Sequence, residues 1–121
     1  MAHNTELGRR GEDLAAAFLE GRGMQIVARN WRCQHGEIDL VARDGRDTVI
    51  VEVKTRRTDA FGHPFEAITP QKLGRLRRLA AAWCRRADGP TTPIGGVRID
   101  AVAVLMPDEL PAVIDHLEGV Q

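Results

Sequence analysis

Apolar residues recur along this chain with two different periods. Near the start, Leu7, Leu14, Ala15, Phe18 and Leu19 fall at helical spacing. Thr5 is placed to cap that helix, Glu6 complements the dipole of its first turn, and Gly21 and Gly23 end it. "MQIVARNW" (Met24 to Trp31) reads as a short strand, and "EIDLVAR" (Glu37 to Arg43) alternates polar with apolar. "DGRD" (Asp44 to Asp47) is a hairpin signal leading into "TVIVEVKTRR" (Thr48 to Arg57). A polar loop, "RRTDAFGHP" (Arg56 to Pro64), follows. Thr69 and Pro70 then mark a helix start, an N-cap with proline at the first helical position. That helix is expected to reach about Ala87 and to stop at "DGP" (Asp88 to Pro90). "VRIDAVAVL" (Val97 to Leu105) is a fourth strand, and "AVIDHL" (Ala112 to Leu117) a shorter fifth. The order α-β-β-β-α-β-β predicts an α/β fold, a mixed sheet of about five strands flanked by helices. No repeat or internal boundary breaks the pattern, so residues 1–121 read as a single domain.

The third strand breaks its own rule. Alternation puts Val49, Val51 and Val53 on one face and Ile50, Glu52 and Lys54 on the other. An acid and a base thus sit side by side where burial should be deepest. On the preceding strand, Glu37, Asp39, Val41 and Arg43 are expected to share a face opposite Ile38, Leu40 and Ala42. Folding the two strands about Asp44–Gly45 brings Asp39 towards Glu52, and two carboxylates held close repel. A divalent cation removes that repulsion, and a set of carboxylate oxygens, waters and a substrate phosphate is what magnesium prefers. Lys54 then stands beside the metal, placed to orient or deprotonate a water or to stabilise charge on phosphate. Glu12, an acid in an otherwise apolar stretch of the first helix, is within reach of the same place. The plainer alternative is a cross-strand charge pair on a water-facing sheet, worth a few tenths of a kcal/mol.

Composition is that of an ordinary globular protein, 43% hydrophobic and 28% charged. No apolar run nears the ~20 residues of a membrane span, and the N-terminus lacks the apolar core of a secretory signal. Cys33 and Cys84 are far apart and outside any CxxC spacing, which fits a cytoplasmic protein with reduced thiols. Net charge is zero but unevenly spread. From Val53 to Ala87 there are nine bases, among them Arg56, Arg57, Lys72, Arg75 and Arg78, against two acids, Asp59 and Glu66. Such asymmetry suits a polyanion-binding face, and equally a solvated basic helix with counter-charges on nearby loops.

"GEIDLVARDG" followed by "VIVEVKTRR" resembles the signature of the PD-(D/E)xK nuclease superfamily, with Asp39 as the lone acid and Glu52-Val53-Lys54 as its E-x-K. Over nearly its whole length the chain further resembles the small bacterial YraN-like family. The matching stretches are "GRRGEDLAAAFL", "GEIDLVARDG", "VEVKTRR" with "FG" after it, the Lys72 helix and "RIDAVAV". The resemblance implies a restriction-endonuclease-like core related to archaeal Holliday-junction resolvases. It also implies Glu12, Asp39 and Glu52 as ligands of Mg²⁺ or Mn²⁺, the Val53 carbonyl as a further ligand, and Lys54 as the catalytic lysine. The proline that names the superfamily motif is absent, since Glu37-Ile38 precedes Asp39.

The expected activity is therefore metal-dependent hydrolysis of DNA, branched or otherwise structured, with the phosphate backbone held by Lys72, Arg75, Arg78 and the loop pair Arg56–Arg57. A homodimer is expected by analogy with the resolvases. The alternative is a nuclease fold that binds nucleic acid without cutting it. Other candidates are a Cys33/His35 metal pair, a substrate contact at His63, base stacking by Trp31 and Trp83 against a plain core role, and an Arg98–Asp100 pair. No GxxxxGK[ST] or GxGxxG stretch supports an ATP-driven or dinucleotide mechanism.

Overall fold

The apolar stripes find their partners on the two faces of one sheet. In the computed structural model, which describes residues 5–58, 60, 62–86, 95–108 and 110–120, helix α1 (Thr5–Gly21) precedes three strands, β1 (Gln25–Cys33), β2 (Gly36–Asp44) and β3 (Asp47–Arg56). A 3₁₀ turn (Pro64–Ala67), not anticipated from the sequence, leads to helix α2 (Pro70–Cys84), and β4 (Val97–Leu105) and β5 (Val113–Leu117) complete the chain. Five strands lie in the order β1-β2-β3-β4-β5. All neighbours are antiparallel except β3 and β4, which run parallel with α2 as the crossover between them. The expected mixed α/β sheet and its element order are what the chain forms.

Each helix covers one face. Ala15 and Leu19 of α1 pack with Leu40, Ala42, Val49, Val51, Val102 and Val104. Leu76, Leu79 and Trp83 of α2 pack with Ile38, Val41, Ile50 and Ile99. Helix α1 ends as its glycines require: Gly23 adopts φ 93°, and the Met24 amide donates to the Leu19 carbonyl across the end of the helix at 3.0 Å. Thr5, expected to cap the other end, has its side chain outside the described residues. Thr69 does cap α2, its hydroxyl accepting from the Lys72 amide at 3.2 Å with Pro70 next. Helix α2 closes at Cys84, one turn short of the expected Ala87, and the expected "DGP" stop lies outside the described residues.

Strict alternation in β2 fails. Ile38 joins Val41 in the α2-side cluster while Leu40 and Ala42 face α1, so Ile38 does not share a face with the latter pair as expected. The partner strand shows why. Pairing steps from Ile26↔Ala42 to Ala28↔Val41, leaving Val27 as a bulge, and Asn30 sits at φ 53° between the pairs Arg29↔Leu40 and Trp31↔Ile38. Asparagine tolerates this left-handed conformation better than most residues. The ribbon turns over at Asn30 and Asp39, and both strands present a new face beyond it.

Beside the sheet, Asp100 is fully buried and fully satisfied. It accepts from Arg98 Nε at 3.0 Å, from Arg98 Nη2 at 3.3 Å and from the Gly119 amide at 3.0 Å. His116 Nε2 lies 2.8 Å from Oδ2, the oxygen that also accepts from Arg98 Nη2. Arg22 approaches His116 Nδ1 at 3.1 Å, and because a guanidinium only donates, Nδ1 accepts and Nε2 carries the proton given to Asp100. The expected Arg98–Asp100 pair thus exists, and Arg98 also reaches Asp44 at 2.9 Å, tying β4 to the β2–β3 turn. No described helix is long and apolar enough to cross a membrane.

Removing Asp100 leaves Arg98 and His116 without their buried acceptor. Asp100→Ala is expected to cost about 3–5 kcal/mol, measured as a lower urea midpoint at unchanged slope.

Candidate functional site

The half of β3 that carries charge lies beyond the reach of the α2 cluster. Ile50 is the last residue of this strand packed under α2, and Glu52 and Lys54 follow it on the same face. Val53, between them, packs against the α1-side core. Glu52 nevertheless keeps only 7% of its surface exposed, so the water-facing charge pair is not what forms. Its carboxylate meets Lys54 Nζ at 3.1 Å. The last β2–β3 pair at this end is Leu40↔Val51, and one step further the register points Asp39 at Glu52. Asp39 does not continue the ladder. Its side chain takes the Val53 amide at 2.8 Å in place of a backbone acceptor.

The environment of Asp39 is unfavourable for a carboxylate. Burial, and then the charge of Glu52, push its pKa up to about 8, with Glu12 and Glu37 adding to the repulsion and the Val53 amide opposing it. Among the described residues only that amide donates to it, whereas Asp100 receives four donors. Glu12 is also raised, chiefly by burial, against a hydrogen bond from Asn30 Nδ2 at 3.1 Å. The residue that turns the ribbon over therefore also holds the helix acid.

Helix α1 can bring Glu12 this close because of Gly11. A Cβ at that position would run into the Thr55 side chain, so only glycine lets the helix rest on β3 here. Sequence reasoning missed Gly11 and Asn30, and placed Glu37 on the face of Asp39 without giving it a role. A helix-breaking glycine in the middle of "GRRGED" was the available signal for the first.

Lys72 lies at the site as well as on the basic helix. The nearby Lys54 amine, through polar contact and then charge repulsion, holds its pKa below the ordinary lysine value. The remaining predicted contacts divide. Arg75 and Arg78 are exposed on α2. Arg56 lines a cleft with Thr58 and His63, while Arg57 pairs with Asp108 at 2.9 Å. His63 caps the 3₁₀ turn and meets Asp115 at 2.8 Å. Cys33 accepts from the His35 amide at 3.4 Å.

Among the described residues, no three histidine, cysteine, aspartate or glutamate side chains already converge into a metal cage. The donor chemistry still fits a hard cation. Asp39 and Glu52 are oxygen donors whose mutual repulsion a divalent ion would relieve, and no soft ligand joins them.

Comparison with known proteins places this arrangement in a family. The profile of the uncharacterised protein family UPF0102 matches residues 11–104. The chain belongs to this family. It is 53% identical over 120 residues to a UPF0102 protein of Leifsonia xyli, covering 99% of both chains. A UPF0102 protein of Renibacterium salmoninarum is 56% identical over 120 residues, again with 99% of each covered. One from Streptomyces griseus is 56% identical over 114 residues, 94% of each. The matched span of the family profile includes Gly11, Glu12, Asn30, Asp39, Glu52, Lys54 and Lys72.

The raised Asp39 has a thermodynamic consequence. Unfolded, it titrates near 3.8; folded, near 8. Stability is therefore undiminished below about pH 4 and is lost as pH rises towards 8, where the folded protein must bury the charge. In chelator, melting temperature should fall across that window, and Asp39→Asn should flatten the fall. Mg²⁺ or Mn²⁺ at pH 8 should restore the wild type and leave Asp39→Asn unmoved. A wild type indifferent to both ions would show that the donor set holds neither.

Proposed function

We propose that this protein is a metal-dependent nuclease that hydrolyses phosphodiester bonds in DNA, branched or otherwise structured. The observation that carries the reading is the juxtaposition of two crowded acids, Asp39 and Glu52, with Lys54 at 3.1 Å from Glu52 and Lys72 next to Lys54. The resemblance to the PD-(D/E)xK nucleases supports it. Asp39 and Glu52 would hold Mg²⁺ or Mn²⁺, with the Val53 carbonyl and Glu12 as further ligands. When bound, the ion supplies Lewis-acid polarisation of the phosphate and a more acidic water.

The chain's own residues do the rest. Lys54, fixed against Glu52, points an amine at the reaction centre. Lys72 lowers the cost of deprotonating one amine of the pair, leaving a base able to take the proton of an attacking water. The protonated partner offsets negative charge building on the phosphate. The Val53 amide fixes Asp39 and so the spacing of the two acids. Arg75 and Arg78, with Arg56 and Arg57 beyond β3, give the backbone of the nucleic acid positive charge without reading its sequence. The homodimer expected from the resolvases belongs to the same proposal.

The absence of a ready-made metal cage among the described residues favours a second reading, a nuclease fold that binds without cutting. One assay separates them. Labelled linear, flapped and four-way-junction DNA would be incubated with the protein and Mg²⁺ or Mn²⁺, beside Glu52→Ala and Lys54→Ala. The nuclease reading expects each variant to lose at least about a hundredfold in cleavage rate while still binding. Lys72→Met should displace the rising limb of the pH–rate profile to higher pH. Binding with no cleavage by the wild type would establish the second reading.

A further inference from the structure

The flank of α2 leads away from Lys72 to a cleft that the proposed chemistry does not use. At about 100° per residue, Arg75, Arg78 and Ala82 fall on one side of the helix and Arg77 on the other, with Arg85 and Arg86 just past its end. That side faces the β1–β2 hairpin, where the Arg75 side chain runs alongside Gly36. At its far end the helix and the hairpin enclose an open cleft of about 350 Å³, lined by Trp31, Cys33, His35, Ala82, Arg85 and Arg86. The volume lies in the ~300–1,000 Å³ range of small-ligand sites.

The lining is unusual for this chain. Only two tryptophans are present and no tyrosine. Both tryptophans meet here: Trp31 forms part of the wall, and Trp83 stands edge-on behind it with ring centres 5.3 Å apart. Arg86 lies over the Trp83 ring at 3.6 Å, closing that face. Trp31 is half-buried and borders the opening. Arg75, Arg78 and Arg85 are exposed and form no ion pair among the described residues, so their charge is available to a polyanion. An aromatic wall beneath a rim of arginines is the pairing that single-stranded nucleic acid requires, a ring for the base and cations for the phosphate.

We propose that this cleft holds an unpaired nucleotide, and that the substrate is DNA carrying a single-stranded arm. The inference rests on the nucleic-acid reading of the Asp39–Glu52 site and sharpens its substrate class. Lys72 and Arg85 are separated by about 20 Å along the helix, at 1.5 Å per residue. At the ~3.4 Å rise of stacked DNA, that span would correspond to about six nucleotides between a phosphate held at Lys72 and the cleft. Duplex DNA keeps its bases stacked inside and cannot offer one to Trp31. A flap or a frayed junction can.

The two tryptophans make the test direct, because all tryptophan emission comes from this one patch. Unlabelled oligothymidylate, and a duplex of the same length, would be titrated into the protein in chelator while tryptophan emission is read. Saturable quenching by the single strand and not by the duplex is expected. Arg85→Glu reverses the charge of one rim cation and should weaken that binding about tenfold. Arg77→Glu makes the same charge change on the opposite flank and should have little effect. Equal weakening by Arg77→Glu and Arg85→Glu would reduce the contact to unspecific attraction and overturn the cleft. So would binding, seen by anisotropy of a labelled strand, with no change in emission. Cleavage of blunt duplex as fast as of a flapped one would overturn this inference and leave the nuclease reading standing. A protein that fills the cleft with single strand but cuts nothing would do the reverse.

Discussion

The site depends on the uneven cover of β3. This strand is the middle one of five, and its first half is sealed on both faces, Val49 and Val51 under α1 and Ile50 under α2. Past Ile50 the α1 side continues through Val53, while the other side passes to Glu52 and Lys54. One strand therefore serves as core and as chemical surface at once. The rigidity of the first half is imposed on the second, because a strand has no joint at which its far end can relax independently. Functional groups carried on such an element are placed more sharply than groups on loops.

The contrast between two aspartates shows what that placement does. Asp100 is wholly removed from solvent and Asp39 partly so, and each is the kind of group folding normally avoids burying. Asp100 is met by arginine, histidine and a backbone amide, and its charge is neutralised within the fold. Asp39 receives one amide and faces Glu52, with Glu12 and Glu37 behind. The first is a finished structural element that ties β4 to the β2–β3 turn and to α1. The second is left in electrostatic debt, the state in which a carboxylate gains most from a cation.

Three local devices maintain that state. Gly11 removes the Cβ that would hold α1 off Thr55, and so sets the approach of the helix acid. Asn30 accepts a left-handed backbone, turns the β1–β2 ribbon over beside Asp39 and binds Glu12. Thr69 and Pro70 start α2 where Lys72 arrives next to Lys54. Each is a backbone decision with its effect on a side chain elsewhere, and together they converge on a region smaller than any one element.

Much of this was legible before folding. Periodicity and capping residues determined the element order, because helix and strand each impose their own spacing on apolar residues, and β4 was bounded correctly at both ends. The acid–base pair in β3 was legible as an anomaly for the same reason, since it breaks a pattern that burial would otherwise keep. What the tertiary structure alone decided was which charges meet. Nothing in the spacing shows that Ile38 crosses to the α2 side, that Lys72 reaches Lys54, that Arg57 is drawn to Asp108, or that Trp31 borders an opening with Trp83 edge-on behind it. Those facts follow from a positive φ at Asn30, from a missing Cβ at Gly11 and from the crossing of α2 over the sheet. Local pattern is a property of neighbours in sequence, while charge and stacking act between neighbours in space.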